Sequence, residues 1–195
     1  MKIPPLILAL LFFVLSGDAW AEPVRWESVK LKMTDDAGYS LFCDYSGPEG
    51  NYRFHYIVLG AGDEILTEVL EGSTRGAGTR IYYNPKLDRE NVTMQTKIVR
   101  LRRSLLARDI KDSPLHQPLF THLIGEFSES GPQAVEQRGA NTVFRFGDRK
   151  SRHELLEVDS KGNPLNLRRM EAEKQLNLLT FHQLEWGPHP VEWER

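Results

Sequence analysis

The sequence predicts an α+β protein: a curved antiparallel β-sheet, in effect a half barrel, with helices packed on its concave face. Three observations predict this class. Short runs with apolar residues at alternate positions, separated by turns rich in glycine, proline and asparagine, occupy most of the chain. Helical spacing is confined to a segment near the start and another in the middle. Strands follow strands instead of alternating with helices, which is the layering of α+β folds and not of βαβ ones.

The first 21 residues stand apart. Lys2 gives a short positive start, Leu6 to Leu15 is an unbroken apolar run, and Ser16-Gly17-Asp18 breaks it. Ala19-Trp20-Ala21 then supplies a small-x-small pattern before Glu22, as in a cleavable secretory signal. The run is about ten residues long, half of the ~20 that a membrane-spanning helix needs. The expectation is export across a bacterial inner membrane, cleavage after Ala21, and a single periplasmic domain over residues 22–195. The 25 Lys and Arg residues against 27 Asp and Glu give a formal charge of −2, without the basic excess of a nucleic-acid binder.

The remaining elements follow in order. Trp26, Val29 and Met33 at i, i+3 and i+7 predict a short opening helix over Arg25 to Met33. Tyr39 to Tyr45 reads as a strand with Tyr39, Leu41, Cys43 and Tyr45 on one face. The turn cluster Gly47-Pro48-Glu49-Gly50-Asn51 joins it to Tyr52 to Leu59, with Phe54, Tyr56 and Val58 on one side and Arg53, His55, Ile57 and Leu59 on the other. An antiparallel hairpin results. Glu64 to Glu71 is short and β-branched enough for a strand. Thr79 to Tyr83 is another, stopped by Pro85, which cannot donate to a ladder. Asn91 to Thr96 alternates Val92, Met94 and Thr96. The apolar stripe Leu119, Phe120, Leu123, Ile124 and Phe127 predicts the one strongly amphipathic helix. Strand patterns return at Thr142 to Phe146, His153 to Val158, Leu165 to Glu171 and Leu176 to Trp186. Cys43, the single cysteine, falls in a strand and reads as a buried, inert thiol.

This order resembles the LolA/LolB-like fold of bacterial lipoprotein carriers and their exported relatives. The resemblance is carried by the export signal, the short helix, the strands Tyr39 to Tyr45 and Tyr52 to Leu59, and the glycine-rich link into Arg80-Ile81-Tyr82-Tyr83-Asn84-Pro85. The closing meander from His153 through Asp159 and Pro164 to Leu167 completes it. It implies a cavity for acyl chains or other hydrophobic ligands, in the setting of outer-membrane lipoprotein sorting. By resemblance, Phe42, Phe54, Tyr56, Val58 and Met94 on strands, with Leu119, Leu123 and Phe127 on the helix, are the residues that line it. The plain reading of the same side chains is a packed core, which a domain of this size needs in any case. The family's lid-latching arginine has no marked counterpart; Arg53, Arg80 and Arg145 all fall in strands.

No catalytic, metal or cofactor pattern accompanies these elements. The six histidines form no His-Glu-x-x-His, and one cysteine excludes a thiolate-rich zinc site. Gly60-Ala61-Gly62 and Gly76-Ala77-Gly78 lack the rest of a dinucleotide fingerprint. The expectation is a non-catalytic protein without cofactor. Lys97 to Arg108 carries five basic residues and no acid. Arg100, Arg102 and Arg103 are therefore candidates to meet anionic lipid headgroups or an acidic envelope partner, against the plain reading of a solvated strand-and-turn face. The tail Trp186 to Arg195, with two prolines and two tryptophans, either docks a partner or packs back on the sheet.

Overall fold

The computed structural model describes residues 23–35, 37–48, 50–60, 62–72, 76–96, 102–110, 118–127 and 131–190. The export segment, Arg100 and the end of the tail lie outside them. The described chain forms one open antiparallel sheet of eleven strands with two short α-helices. Helix α1 (Trp26–Met33) precedes β1 (Gly38–Gly47), β2 (Gly50–Leu59), β3 (Glu64–Gly72), β4 (Arg80–Tyr83), β5 (Asn91–Gln95) and β6 (Arg102–Leu106). A 3-10 turn (Ala107–Ile110) and α2 (Leu119–Phe127) follow. Then come β7 (Ala134–Arg138), β8 (Asn141–Phe146), β9 (Arg152–Val158), β10 (Pro164–Glu171) and β11 (Lys174–Trp186).

The strand order is β6-β5-β4-β3-β2-β1-β11-β10-β9-β8-β7. The chain thus starts at the centre and meanders outward to one edge. It crosses by way of α2 to the far edge and meanders back until β11 pairs with β1. Most predicted elements are present at their predicted places. Ala134–Arg138, which no periodicity marks, is an additional strand at the β7 edge.

Period-two alternation assigns each side chain to a face. Registers such as Cys43↔Phe54, Cys43↔Phe181, Val58↔Ile65 and Phe144↔Leu156 put these residues on one face, together with Leu41, Val158 and Leu167. Both helices pack against that face and touch each other. Trp26 of α1 lies across Phe144 and Phe146, with ring centroids 5.5 and 4.9 Å apart. Val24 anchors the approach to α1 by donating its backbone N–H to Thr142 Oγ1 at 3.1 Å.

Helix α2 has no Ser, Thr, Asp or Asn before it to satisfy its first amides. The sheet does so instead. The Tyr39 hydroxyl accepts the Phe120 N–H at 3.1 Å, and the Tyr56 hydroxyl meets the Leu119 backbone. The entry to α2 comes so close to the β2–β3 turn that a Cβ on Gly62, at φ +98°, would stand 3.0 Å from the Pro118 ring. Only glycine suits both the backbone angle and the approach.

Candidate functional site

The helix-bearing face divides into two parts. Under the helices it is a filled core. Phe120 is fully buried, with ring centroids 4.7 Å from Tyr39, 5.6 Å from Phe181 and 5.5 Å from Trp186. Trp186 reaches this position past an irregularity between β1 and β11, where Gln183 takes φ 46° and shifts the register between Ser40 and Phe42. Its indole Nε1–H donates to Asn163 Oδ1 at 3.1 Å, so this part of the tail packs back onto the sheet. Burial pushes the Cys43 thiol up to about 12, and the neighbouring Asp44 adds to that, so Cys43 stays protonated and unreactive at neutral pH.

Toward the β1–β2 hairpin the same face opens. Tyr45, Tyr52 and Phe54 form a half-buried strip, with centroids 6.1 Å apart for Tyr45–Tyr52 and 5.9 Å for Tyr52–Phe54. Gly72 lies directly across from Tyr52, and a Cβ there would come within 2.9 Å of the ring, so glycine makes room for it. Val69 and Leu179 stand on the neighbouring strands, opposite Phe54 and Tyr45. Leu179 also packs against the filled core, which makes strip and core continuous. Farther out, Met94 is half-buried against Ile81, Val92 and Ala107.

Of the residues assigned to a cavity by resemblance, Tyr56, Val58, Leu119 and Leu123 are buried together in the filled part. Phe54 lies on the strip and Met94 in the outer cluster. The side chain of Phe127 is outside the described set. Phe42 does not belong with them: it pairs with His55 and stacks on its ring, 4.3 Å away and within 2° of parallel. Its even position on β1, between Leu41 and Cys43, turns it to the opposite face. Arg53, Arg80 and Arg145 are turned the same way by their own strands, so none of them points at α2.

That opposite face carries a small buried cluster of Ile57, Leu66 and Tyr82 beside several polar contacts. Asp44 takes two hydrogen bonds from Arg53, at 2.7 and 3.1 Å, and lies 3.2 Å from His182 Nε2. The Arg53 guanidinium hydrogen-bonds Asp44 and holds its carboxyl below the usual range. Ser40 Oγ is 3.0 Å from His55 Nε2. Burial lowers the His55 pKa, so the ring is neutral at physiological pH. This contact joins residues on different strands and has no signature in the linear sequence. Among the described residues no cluster of three or more His, Cys, Asp or Glu side chains could hold a metal ion, and no helix is long and apolar enough to cross a membrane. Arg102 and Arg103 are exposed on the edge strand β6.

No protein-family model matches the chain, and no curated protein sequence does. An uncharacterised conserved protein of Thermus thermophilus superposes with a TM-score of 0.54 at 7% identity, over 84% of this chain and 88% of that one. That likeness shows a shared fold. Lower-scoring similar structures include a LolA superfamily protein of Nitrosomonas europaea, with TM-score 0.41, 11% identity and coverage of 86% and 96%. They also include MucB, with TM-score 0.48 and 14% identity, where the match covers 90% of this chain and 62% of that one.

Proposed function

We propose that this chain is an exported, non-catalytic envelope protein that holds an acyl chain or a comparably hydrophobic lipid-linked group on the helix-bearing face of a LolA-like half barrel. In this reading the helices sit on the concave side and the signal segment is removed after Ala21. The observation that carries it is the aromatic strip Tyr45–Tyr52–Phe54. It is partly buried, lies on the core face, and adjoins the core through Leu179, which pairs with Tyr45. Large aromatic area left partly in water at the mouth of an apolar face is the surface a hydrophobic ligand removes from solvent. Phe54 and Met94 make the contacts, and Tyr56, Val58, Leu119 and Leu123 form the wall behind them. The end of α2 at Phe127 completes the set.

Native mass spectrometry of the mature protein, purified from the periplasm of its own host, tests the reading. The expected result is an added mass that organic solvent extracts and that is identified as lipid. The delipidated protein should then bind a fluorescent acyl-chain probe, and Phe54→Ser should weaken that binding while the fold is kept. A clean apo mass, together with no affinity for any acyl probe, overturns it.

A further inference from the structure

The helix-bearing face holds two separate apolar clusters. One is the core under the helices, which takes in Tyr56 of β2 and Ile65 of β3. The other is Ile81, Val92 and Ala107, with Met94 packed against them. Strand β3 runs between β2 and β4 and so carries the face from one cluster to the other. Across the strands, the registers place Leu41, Tyr56, Thr67, Ile81 and Met94 in one line. Thr67 stands at its middle, on the same face as Ile65 and Val69 of its own strand.

Thr67 differs from the rest of that line. The others are apolar or, like the Tyr56 hydroxyl at the Leu119 backbone, already bonded. Thr67 is 4% exposed, and its hydroxyl, closed off from water, has no hydrogen-bond partner among the described residues. Native structures keep few such groups, because a buried hydroxyl without a partner destabilises the fold. Valine would hold the same place in the strand without that cost. The position of Thr67 suggests what the hydroxyl is for. It lies one strand from Phe54 and two from Met94, the two residues assigned as ligand contacts. Phe54 is directly across from Val69, the next residue on the face of Thr67. A ligand that touches both Phe54 and Met94 therefore crosses β3 at Val69 and Thr67.

We propose that Thr67 selects the polar junction of the ligand: its hydroxyl donates a hydrogen bond to the carbonyl oxygen of an acyl ester or amide. The hydrocarbon chain then lies over Phe54 toward Tyr52 and Tyr45. The proposal rests on the ligand reading and narrows it to acyl groups that keep their carbonyl. The ligand parts the side chains that seal Thr67 as it enters, and in so apolar a setting the hydrogen bond is stronger than at a wet surface. A ligand without the carbonyl leaves the hydroxyl unpaired, and a site built around a hydrogen bond rejects such an analogue.

The test uses delipidated mature protein and three soluble probes of matched chain length: N-lauroylglycine, lauroylglycolate, and dodecyloxyacetate, in which an ether replaces the acyl carbonyl. In titration calorimetry the parent is expected to bind the two acyl probes about five- to tenfold more tightly than the ether. Thr67→Val should erase that preference without weakening ether binding, and Thr67→Ser should keep it. Without probe, Thr67→Val should melt about 2–4 °C above the parent, because it removes an orphaned hydroxyl. Tighter binding of the amide than of the ester, or the reverse, upholds the proposal and tells which linkage the site favours. Equal affinity of the parent for all three probes overturns it, as does a preference that survives in Thr67→Val. Thr67→Val melting below the parent overturns it too, since that is the mark of a hydroxyl already bonded. In those cases the ligand reading stands as long as Phe54→Ser weakens probe binding. Failure of all three probes to bind the parent overturns the ligand reading itself, and this proposal with it.

Discussion

Two parts of one sheet face, built by the same alternation, end in different states. Beneath α1 and α2, Leu41 of β1 and Val58 of β2 are completely buried. Farther along the same strands, Tyr45, Tyr52 and Phe54 point the same way yet are only partly buried. Aromatic character does not separate them, since the core holds tyrosines and phenylalanines too, among them Tyr39, Tyr56 and Phe144. Coverage does: the strip lies beyond the part of the face that α1 and α2 cover. Alternation in a strand states which side a residue faces, and the helix decides whether that side becomes core or an apolar surface open to a ligand.

The largest expected effect tests the filled part. Phe120→Ala removes a ring packed on three aromatic neighbours, and such truncations cost about 3–5 kcal/mol. Urea unfolding of parent and variant measures it. A cost under about 1 kcal/mol would mean that the space beneath α2 is loosely filled and itself able to take a ligand.

Next comes the device that holds α2 down. Tyr39→Phe keeps the ring and deletes the hydroxyl that accepts the Phe120 N–H, leaving a buried amide unpaired. The expected loss is about 1–3 kcal/mol. Hydrogen exchange should locate it, with faster exchange in α2 than in β8 or β9. A uniform change across the sheet would show that the tyrosine hydroxyl is not what fixes the helix.

The third prediction sets the strip against the core directly. Phe54→Ala removes a half-buried ring, for which about 1 kcal/mol of stability is expected, well under the Phe120→Ala value. Acyl-probe affinity should fall about tenfold or more, because the ring's exposed part is what the ligand covers. If Phe54→Ala is as destabilising as Phe120→Ala and probe binding is unmoved, the strip is core and the comparison collapses.

How much of this was legible in the sequence depends on where a strand lies. Interior strands such as β1, β2 and β8 bury alternate residues and were readable from period two. The edges were not. β7 presents Val135 and Glu136 both exposed, so no alternation marks it, and β6 shows only a basic run whose described part is indeed strand and turn. Helix α2 was legible because its stripe Leu119, Phe120, Leu123 and Ile124 is buried as one face. Phe42, assigned to the cavity by resemblance, sits between Leu41 and Cys43, and period two turns it to the other face, against His55. The division between filled core and open strip is a tertiary outcome, since it depends on where the crossover between β6 and β7 lays α2. Nothing local to Tyr45, Tyr52 or Phe54 encodes it.

The smallest expected effect concerns acid. Asp159 sits in the β9–β10 turn, where it accepts the backbone N–H groups of Lys161 and Asn163 and the Asn163 amide, each at 2.8 Å. The same turn supplies Asn163 Oδ1 to Trp186 and the Lys161 carbonyl to Lys32 of α1, so it ties α1 and β11 into the filled part. Burial pushes the Asp159 carboxyl up, but these hydrogen bonds and the charge of Lys32 outweigh it and hold the pKa below its ordinary value of 3.8. A carboxyl depressed in the folded state contributes stability that is fully present above its unfolded pKa and is lost as pH falls through the folded value. Asp159→Asn keeps an acceptor oxygen and removes the titration. Its melting temperature should fall by a few degrees at neutral pH, while its decline below about pH 4 should be shallower than the parent's. In the parent, exchange in α1 should quicken in that same acid range, ahead of exchange near the strip. Identical acid slopes in parent and variant would remove Asp159 from the ties of the filled part and leave packing alone to account for the difference between the two halves of the face.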